Sequence, residues 1–319
     1  MVKNDKKEKS MFIDENTKIV ILKGGISDEK EVSEATARSC ANALREKKLK
    51  VLEIAVEVEN LSNLASEIKN LKPDVIFNAL HGGIGENGVI QGLLETLQVP
   101  YTHSGVSASS IAMNKSNSKK VFLSQNLPVI KGILLKNNNL DKETSIKPPF
   151  VIKPNNGGSS VGVCFINSMD EFNIISGKLE KGTDYLLEKY VPGRELSVSV
   201  LNNEPLTVTD IVTDKWYSYE AKYSPGGSIH KLPASIPKEI FDYCMNCATE
   251  AHKILGCRGI SRTDFRWDEE KGIKGLCILE INTQPGMTET SLVPEQAKHR
   301  GIAFPDLCLE LLRDASCNK

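Results

Sequence analysis

No apolar run in the chain approaches the roughly 20 residues that a membrane-spanning helix requires, so insertion into a bilayer is not expected. A surplus of charge is missing too. Lys and Arg number 40 against 41 Asp and Glu, for a formal net charge of −1. That balance favours neither nucleic acid nor an anionic membrane, although a single groove could still be basic. The opening stretch MVKNDKKEKSMFIDENT is charged and lacks an apolar core segment, so it does not read as a secretory signal. Residues 1–17 are expected to form a disordered extension. Cysteine, at 8 in 319 residues, is too sparse for a disulfide scaffold. Cys244 and Cys247 form a CxxC inside PKEIFDYCMNCATEAHKILG, whose periodicity is helical, and no second CxxC completes a zinc site. Reduced packing thiols in a cytoplasmic protein are the expected reading, with redox chemistry as the alternative. KPNNGGSSVG lacks the GxxxxGK[ST] spacing of a phosphate-binding P-loop, and GGISDEKE, after the first strand, lacks GxGxxG, which argues against a nicotinamide-dependent dehydrogenase.

What is present is an alternation of strands and helices. KIVILKGG reads as a buried strand ending in two glycines. A helix follows, with Ser27 as its N-cap, Glu29 in its first turn, and Val32, Ala35, Ser39, Ala43 and Leu44 along one stripe. KVLEIAV, LSNLASEIKNL, PDVIFNAL and GVIQGLLETL continue the pattern. The fold class is therefore α/β, with an N-terminal parallel-sheet domain over residues 18–113. Ligands in such sheets bind beyond the carboxyl ends of the strands, here GGISDEKE and LHGGIGENG. Two α+β domains are expected to follow, over residues 114–190 and 191–319. The first holds PFVIKPNNGGSSVGVCFI, two strand-like runs joined by a Gly, Ser and Asn-rich loop, and the second ends in the helix FPDLCLELLRDAS.

Four constellations could carry chemistry. Arg262 and Asp264 in SRTDFRW lie two apart, as do Glu280 and Asn282 in LEINTQPG, so each pair points to one face of a strand. If the strands pair antiparallel, Asp264, Glu280 and Asn282 converge with Arg262 beside them, an oxygen set suited to Mg²⁺. An arginine–carboxylate cluster that merely closes a sheet is the alternative, and it leaves Asn282 and the following QPG unexplained. KPNNGGSSVG, preceded by a strand bearing Lys153, could fold over a triphosphate or be only a mobile hairpin turn. Glu188 and Glu195 flank a strand-like segment and, taken alone, could be solvated acids. Glu29 near a helix start and His81 at a strand end are placed for ligands, yet each has an ordinary structural reading.

Together GGISDEKEVS, LHGGIGENGVIQG, MNKSNSKK, FVIKPNNGGSSVGV, LLEKYVPGRELSV, YEAKY, SRTD and LEINTQPGMTETSLVP resemble, in order, the motifs of the D-alanine–D-alanine ligases, members of the ATP-grasp superfamily. The resemblance covers about residues 18–315. It implies that the second and third domains sandwich the nucleotide. Lys115, Lys153 and Lys222 would contact phosphates beneath Ser159 and Ser160, and Glu188, Lys189, Tyr190, Val191 and Glu195 would hold adenine and ribose. Asp264, Glu280 and Asn282 would bind two Mg²⁺ ions, with Mn²⁺ able to substitute and with Asn282 also touching ATP.

The resemblance further implies phosphorylation of one D-alanine carboxylate by ATP and attack on it by the amine of a second. Glu29 and His81 would hold the first D-alanine, Arg262 and the Gly286 N–H the oxyanion, and Ser291 with the Leu292 backbone the second substrate. WYSYEAKYSPGGS would be a lid carrying Tyr223 toward Glu29 and Ser159, and this tyrosine favours the dipeptide over a D-alanine–D-lactate ester. A cytoplasmic homodimer serving peptidoglycan precursor synthesis is the family expectation. A ligase for another acid–amine pair and a nucleotide-binding module without catalysis are the rival readings. Position 266 departs from the family pattern, being Arg where apolar residues usually follow the Asp, and the segment between Asp264 and Glu280 is a little longer than usual. An extended hairpin with Arg266 on its solvent side is expected.

Overall fold

The structure, a computed structural model, describes residues 10–136, 145–213 and 227–317. Strand β1 (Lys18–Gly24) lies between β2 (Lys50–Val56) and β3 (Val75–Asn78) in a parallel sheet. Ile19, Val20, Ile21 and Leu22 are all fully buried, because helices cover both faces of such a sheet and no alternation survives. Helix α1 (Lys30–Glu46) packs on β1, and α2 (Leu64–Leu71), α3 (Gly83–Glu86) and α4 (Val89–Leu97) complete the unit.

Three local expectations change here. Ser27 does not cap α1. Glu29 occupies the cap position, one residue before the first turn, while the Ser27 hydroxyl donates to the His81 carbonyl oxygen at 2.7 Å. The buried stripe of α1 runs through Val32, Ser33, Thr36, Ala37, Cys40 and Leu44, and Ala35 and Ser39 sit at its margin. The hydroxyls of Ser33 and Thr36 can enter because they find partners, the Ala79 carbonyl and the His81 ring. Met11 to Thr17, expected to be disordered, are docked. The Met11 N–H donates to the Arg313 carbonyl at 2.7 Å, and Met11 and Ile13 pack on the core.

Helices α5 (Val106–Met113) and α6 (Lys115–Ser124) lead to a four-stranded antiparallel sheet. Its order is β4 (Gly132–Leu135), β7 (Tyr185–Lys189), β5 (Phe150–Pro154) and β6 (Cys164–Ile166), with α7 (Met169–Ser176) against it. The chain then crosses at residues 190–193 into a five-stranded sheet formed by β8 (Arg194–Leu201), β9 (Glu204–Val212), β10 (Ile229–Lys231), β11 (Ile260–Trp267) and β12 (Leu276–Asn282). The strand order there is β10-β9-β8-β11-β12. Helix α8 (Lys238–Ile254) covers one face and buries Cys244 and Cys247 as free thiols. Ala108, Ala112 and Phe122 join that same core, so α5 and α6 pack with the five-stranded sheet.

Helices α9 (Leu292–His299) and α10 (Phe304–Arg313) close the fold. Val293, Ala297, Leu307 and Leu311 share a core with Ile19, Ile21, Ala37 and Phe77 of the parallel sheet. These two helices are thereby pinned against the parallel sheet.

Candidate active site

The site begins with a strand register. Asp264 stands opposite Glu280, and Arg262 opposite Asn282, across β11 and β12. Directly opposed residues share a face, so the convergence read from spacing is present. A bulge follows. Phe265 pairs with Ile278, leaving Leu279 as the extra residue, and Leu279 and Glu280 consequently both line one cleft. Bulges beside sites commonly re-aim side chains in this way. Arg262 grips Asp264 through two parallel bonds, Nε to Oδ1 at 2.9 Å and Nη2 to Oδ2 at 2.8 Å, and the Ser197 hydroxyl donates to Oδ1 at 2.7 Å.

Across the cleft stand lysines. Lys115, the first residue of α6, places Nζ 3.3 Å from Glu280 Oε2 and donates to the Gly157 carbonyl. Lys153 on β5 lies 2.8 Å from Glu188 Oε2, and Lys119 contacts the other oxygen, Oε1. Three charges so deeply buried require one another, since an unpaired buried ion is costly. Burial, reinforced by the Lys153 ammonium, pushes the Lys119 amine well below its ordinary range. Both Glu188 oxygens are thus taken by lysines, and Glu188 lines the cleft between two cations. Lys119 was missed by sequence reading, although it stands four residues after Lys115 and so on the same helical face.

The cleft lies between the four- and five-stranded sheets. Lys115, Lys153, Ser160, Glu188, Lys189, Tyr190, Val191, Glu195, Asp264 and Glu280 line it. Ile130, Val151 and Leu279 give it an apolar floor, the mixture typical of a small-molecule site. Arg266 lines it as well. Its expected solvent-side position is wrong, because residues 262, 264 and 266 alternate onto the same face of β11. The segment before β12 is a short 3₁₀ turn over Glu269–Gly275 instead of an extended hairpin.

The loop between β5 and β6 carries Ser159 and Ser160 with φ of 51° and 59°. The Ser159 hydroxyl donates to Glu29 Oε1. Gly82, with φ of 65° in the left-handed region that favours glycine, lies against Glu29 Oε2 and the Ser27 side chain. His81 is buried close by. Its Nδ1 lies 3.1 Å from Glu86 Oε1 and its Nε2 2.9 Å from Thr36 Oγ1, so both ring nitrogens have partners within the protein. Thr36 and Glu86 escaped the sequence reading, although Glu86 lies inside LHGGIGENG.

The C-terminal arm supplies the remaining groups. Gln284 accepts from Asn78 Nδ2 at 2.8 Å and donates to the Leu80 carbonyl, tying the segment after β12 to the end of β3. Ser291 occupies the cap position of α9 and shares a 2.7 Å hydrogen bond with Thr288 Oγ1. Gly286 abuts the Ser291 hydroxyl, and Leu292 opens the helix, whose N-terminal N–H groups favour a carboxylate. Lys222 and Tyr223 lie outside the described residues.

Among the described residues no three His, Cys, Asp or Glu side chains are placed to hold a metal ion. Asp264, Glu280 and the Asn282 amide oxygen nevertheless fit Mg²⁺, which takes one or two carboxylates and completes its shell with phosphate and water. The two carboxylates now face the cations Arg262 and Lys115. The Asn282 oxygen accepts the Gln284 N–H at 2.7 Å, which fixes its direction.

Two family models match the chain, "D-ala D-ala ligase N-terminus" over residues 55–104 and "D-ala D-ala ligase C-terminus" over residues 126–313. The D-alanine–D-alanine ligase of Ruegeria sp. (strain TM1040) is 51% identical over 302 residues, spanning 95% of this chain and 97% of that one. This chain belongs to the D-alanine–D-alanine ligase family. A second ligase of the family, from Jannaschia sp. (strain CCS1), is 48% identical over 95% of this chain and 98% of its own. The structure of D-alanine–D-alanine ligase from Bacillus anthracis complexed with ATP matches with a TM-score of 0.79 at 28% identity, covering 93% of this chain and 96% of that one. The fold is accordingly the ATP-grasp type of the D-alanine–D-alanine ligases, one parallel sheet followed by two antiparallel ones.

Proposed function

We propose that this chain joins two D-alanine molecules at the expense of ATP, through a D-alanyl phosphate, releasing ADP and phosphate. The observation that carries the reading is the register of Asp264 against Glu280, facing Lys115 across one cleft, in a chain 51% identical to a ligase of that name. On this reading residues 18–113 hold the first D-alanine, and residues 114–190 and 191–319 close on the nucleotide from two sides.

A carboxylate is a poor electrophile, and transfer of the γ-phosphoryl group makes it a good one. Such transfer depends mainly on positioning and on neutralising charge. Lys115 and Lys153 supply fixed positive charge at the phosphates, and Ser159 and Ser160 present the loop that covers them. Asp264, Glu280 and Asn282 hold two Mg²⁺ ions, replaceable by Mn²⁺, whose chemistry when bound is to neutralise the phosphate oxygens and orient the γ-phosphoryl group. The adenosine end belongs to Lys189, Tyr190, Val191 and Glu195, with Glu188 spacing the lysines.

Glu29 pairs with the ammonium of the first D-alanine. His81 lies beyond it, held by Thr36 and Glu86. Arg262 and the Gly286 N–H face the oxyanion that forms when the second amine attacks, and preorganised donors there are worth several kcal/mol. Ser291 and the Leu292 N–H take the second substrate's carboxylate. Lys222 and Tyr223 belong to the segment that excludes water from the acyl phosphate. A cytoplasmic homodimer supplying peptidoglycan precursors completes the proposal.

A coupled ADP-release assay tests it. Release with D-alanine alone, none with L-alanine, and a product mass equal to the dipeptide are expected. Turnover only with D-lactate and D-alanine together would make the chain a depsipeptide ligase instead.

A further inference from the structure

Arg266 has surroundings that give it a task. Nε donates to the Val191 carbonyl oxygen at 3.1 Å and Nη2 to that of Gly193 at 2.9 Å. The guanidinium carbon lies 5.9 Å from the centre of the Tyr190 ring, and Nη1 lies 3.6 Å from Glu195 Oε2. Three of these contacts fall on the crossing from β7 to β8 and the fourth on Glu195, the second residue of β8, and Tyr190, Val191 and Glu195 all line the cleft. That crossing is seated tightly on β11. Gly193 (φ 93°) lies so close to the Trp267 carbonyl that a Cβ would strike it. Phe165 meets the Tyr190 ring edge-on, with centroids 4.7 Å apart.

We propose that Arg266 is a positioning residue for the nucleotide. Its planar fork spans the Val191 and Gly193 carbonyl oxygens, sits over the Tyr190 ring and faces Glu195. The backbone at Lys189–Val191 is thereby set to meet the base and Glu195 to meet the ribose. The proposal rests on reading the cleft as the ATP site. A lysine could not replace this arginine, because an ammonium is a point charge without a fork of fixed geometry.

The test measures ADP release by wild type, R266M and R266K, varying ATP and D-alanine in turn. A rise of roughly tenfold in the KM for ATP is expected in both variants, about the loss of one charge-assisted hydrogen bond. The kcat and the KM for D-alanine should stay within about twofold, as for a group that acts on nucleotide binding alone. A KM for ATP within about twofold of wild type in R266M, or an equal rise in both KM values, overturns the proposal. Full recovery of ATP affinity in R266K overturns the role of the fork. Calorimetric titration with ADP makes the same comparison without the acceptor substrate. A Kd that rises roughly tenfold in R266M supports the proposal and an unchanged Kd overturns it. Absence of D-alanine-dependent turnover in wild type would strike the functional reading instead. If R266M does not fold, R266K alone decides by the same thresholds.

Discussion

The Ser159 hydroxyl donates to Glu29, 130 positions earlier in the chain, and so joins the glycine-rich loop to the residue that opens the first helix. Glu29→Gln should raise the KM for D-alanine at least tenfold, because a charged partner at a buried site is lost. ATP affinity should be nearly unchanged, since Glu29 is assigned to the ammonium of the first D-alanine and not to the nucleotide. Ser159→Ala should show a smaller rise of the same kind. Steady-state kinetics on both variants would contradict the assignment if the KM for ATP moved more than that for D-alanine.

Glu188 holds Lys119 on one oxygen and Lys153 on the other. Glu188→Ala should cost about 3–5 kcal/mol of folding stability, because it leaves two buried ammonium groups facing each other. Lys119→Met should cost less, since Lys153 still pairs with the carboxylate. Urea denaturation would refute this ordering if Lys119→Met were the more damaging change.

Much of the site was legible because strands place alternate residues on one face. Asp264 and Glu280 could be paired from spacing alone, and so could the carboxyl-end position of His81. Arg266 obeys the same alternation, which the expected extended hairpin with Arg266 on its solvent side leaves out of account. What precedes β12 is instead the 3₁₀ turn over Glu269–Gly275. Lys119 and Thr36 were invisible for a different reason. Each is one residue of a helix, and its partner lies on a separate element 69 or 45 positions away. Spacing within a motif carries no information about such contacts. The docking of Met11 and Ile13 on the core likewise depends on α10, near the far end of the chain.

Gln284 fastens the arm after β12 to Asn78 and Leu80. Gln284→Ala leaves buried donors and acceptors without partners, at about 1–3 kcal/mol. It should lower kcat/KM for D-alanine more than for ATP, because Gly286 and Ser291 ride on the same arm. Equal losses for both substrates in a kinetic comparison would argue against that division.

His252 is fully buried in α8, with Nδ1 2.7 Å from the Ser261 hydroxyl. Burial, with Lys253 adding a smaller effect, lowers its pKa to about 4 from 6.5. The unfolded chain therefore binds a proton below pH 6.5 that the folded protein refuses until about pH 4. Stability from this residue is complete above the upper value and is lost as pH falls toward the lower one, by an amount on the order of 3 kcal/mol. His252→Gln should flatten the stability–pH curve within that window, and denaturation at pH 7, 5.5 and 4.5 checks it. An unchanged slope would assign acid sensitivity to other groups.

On the proposed function Asp264, Glu280 and Asn282 grip the metal–nucleotide complex. Mn²⁺ binding to the protein–ADP complex, followed by electron paramagnetic resonance in wild type and Glu280→Gln, tests this. Tight, nucleotide-dependent Mn²⁺ is expected in wild type, with loss of that signal, together with turnover, in a variant whose circular dichroism is unchanged. Wild-type Mn²⁺ binding and full turnover in Glu280→Gln would contradict it.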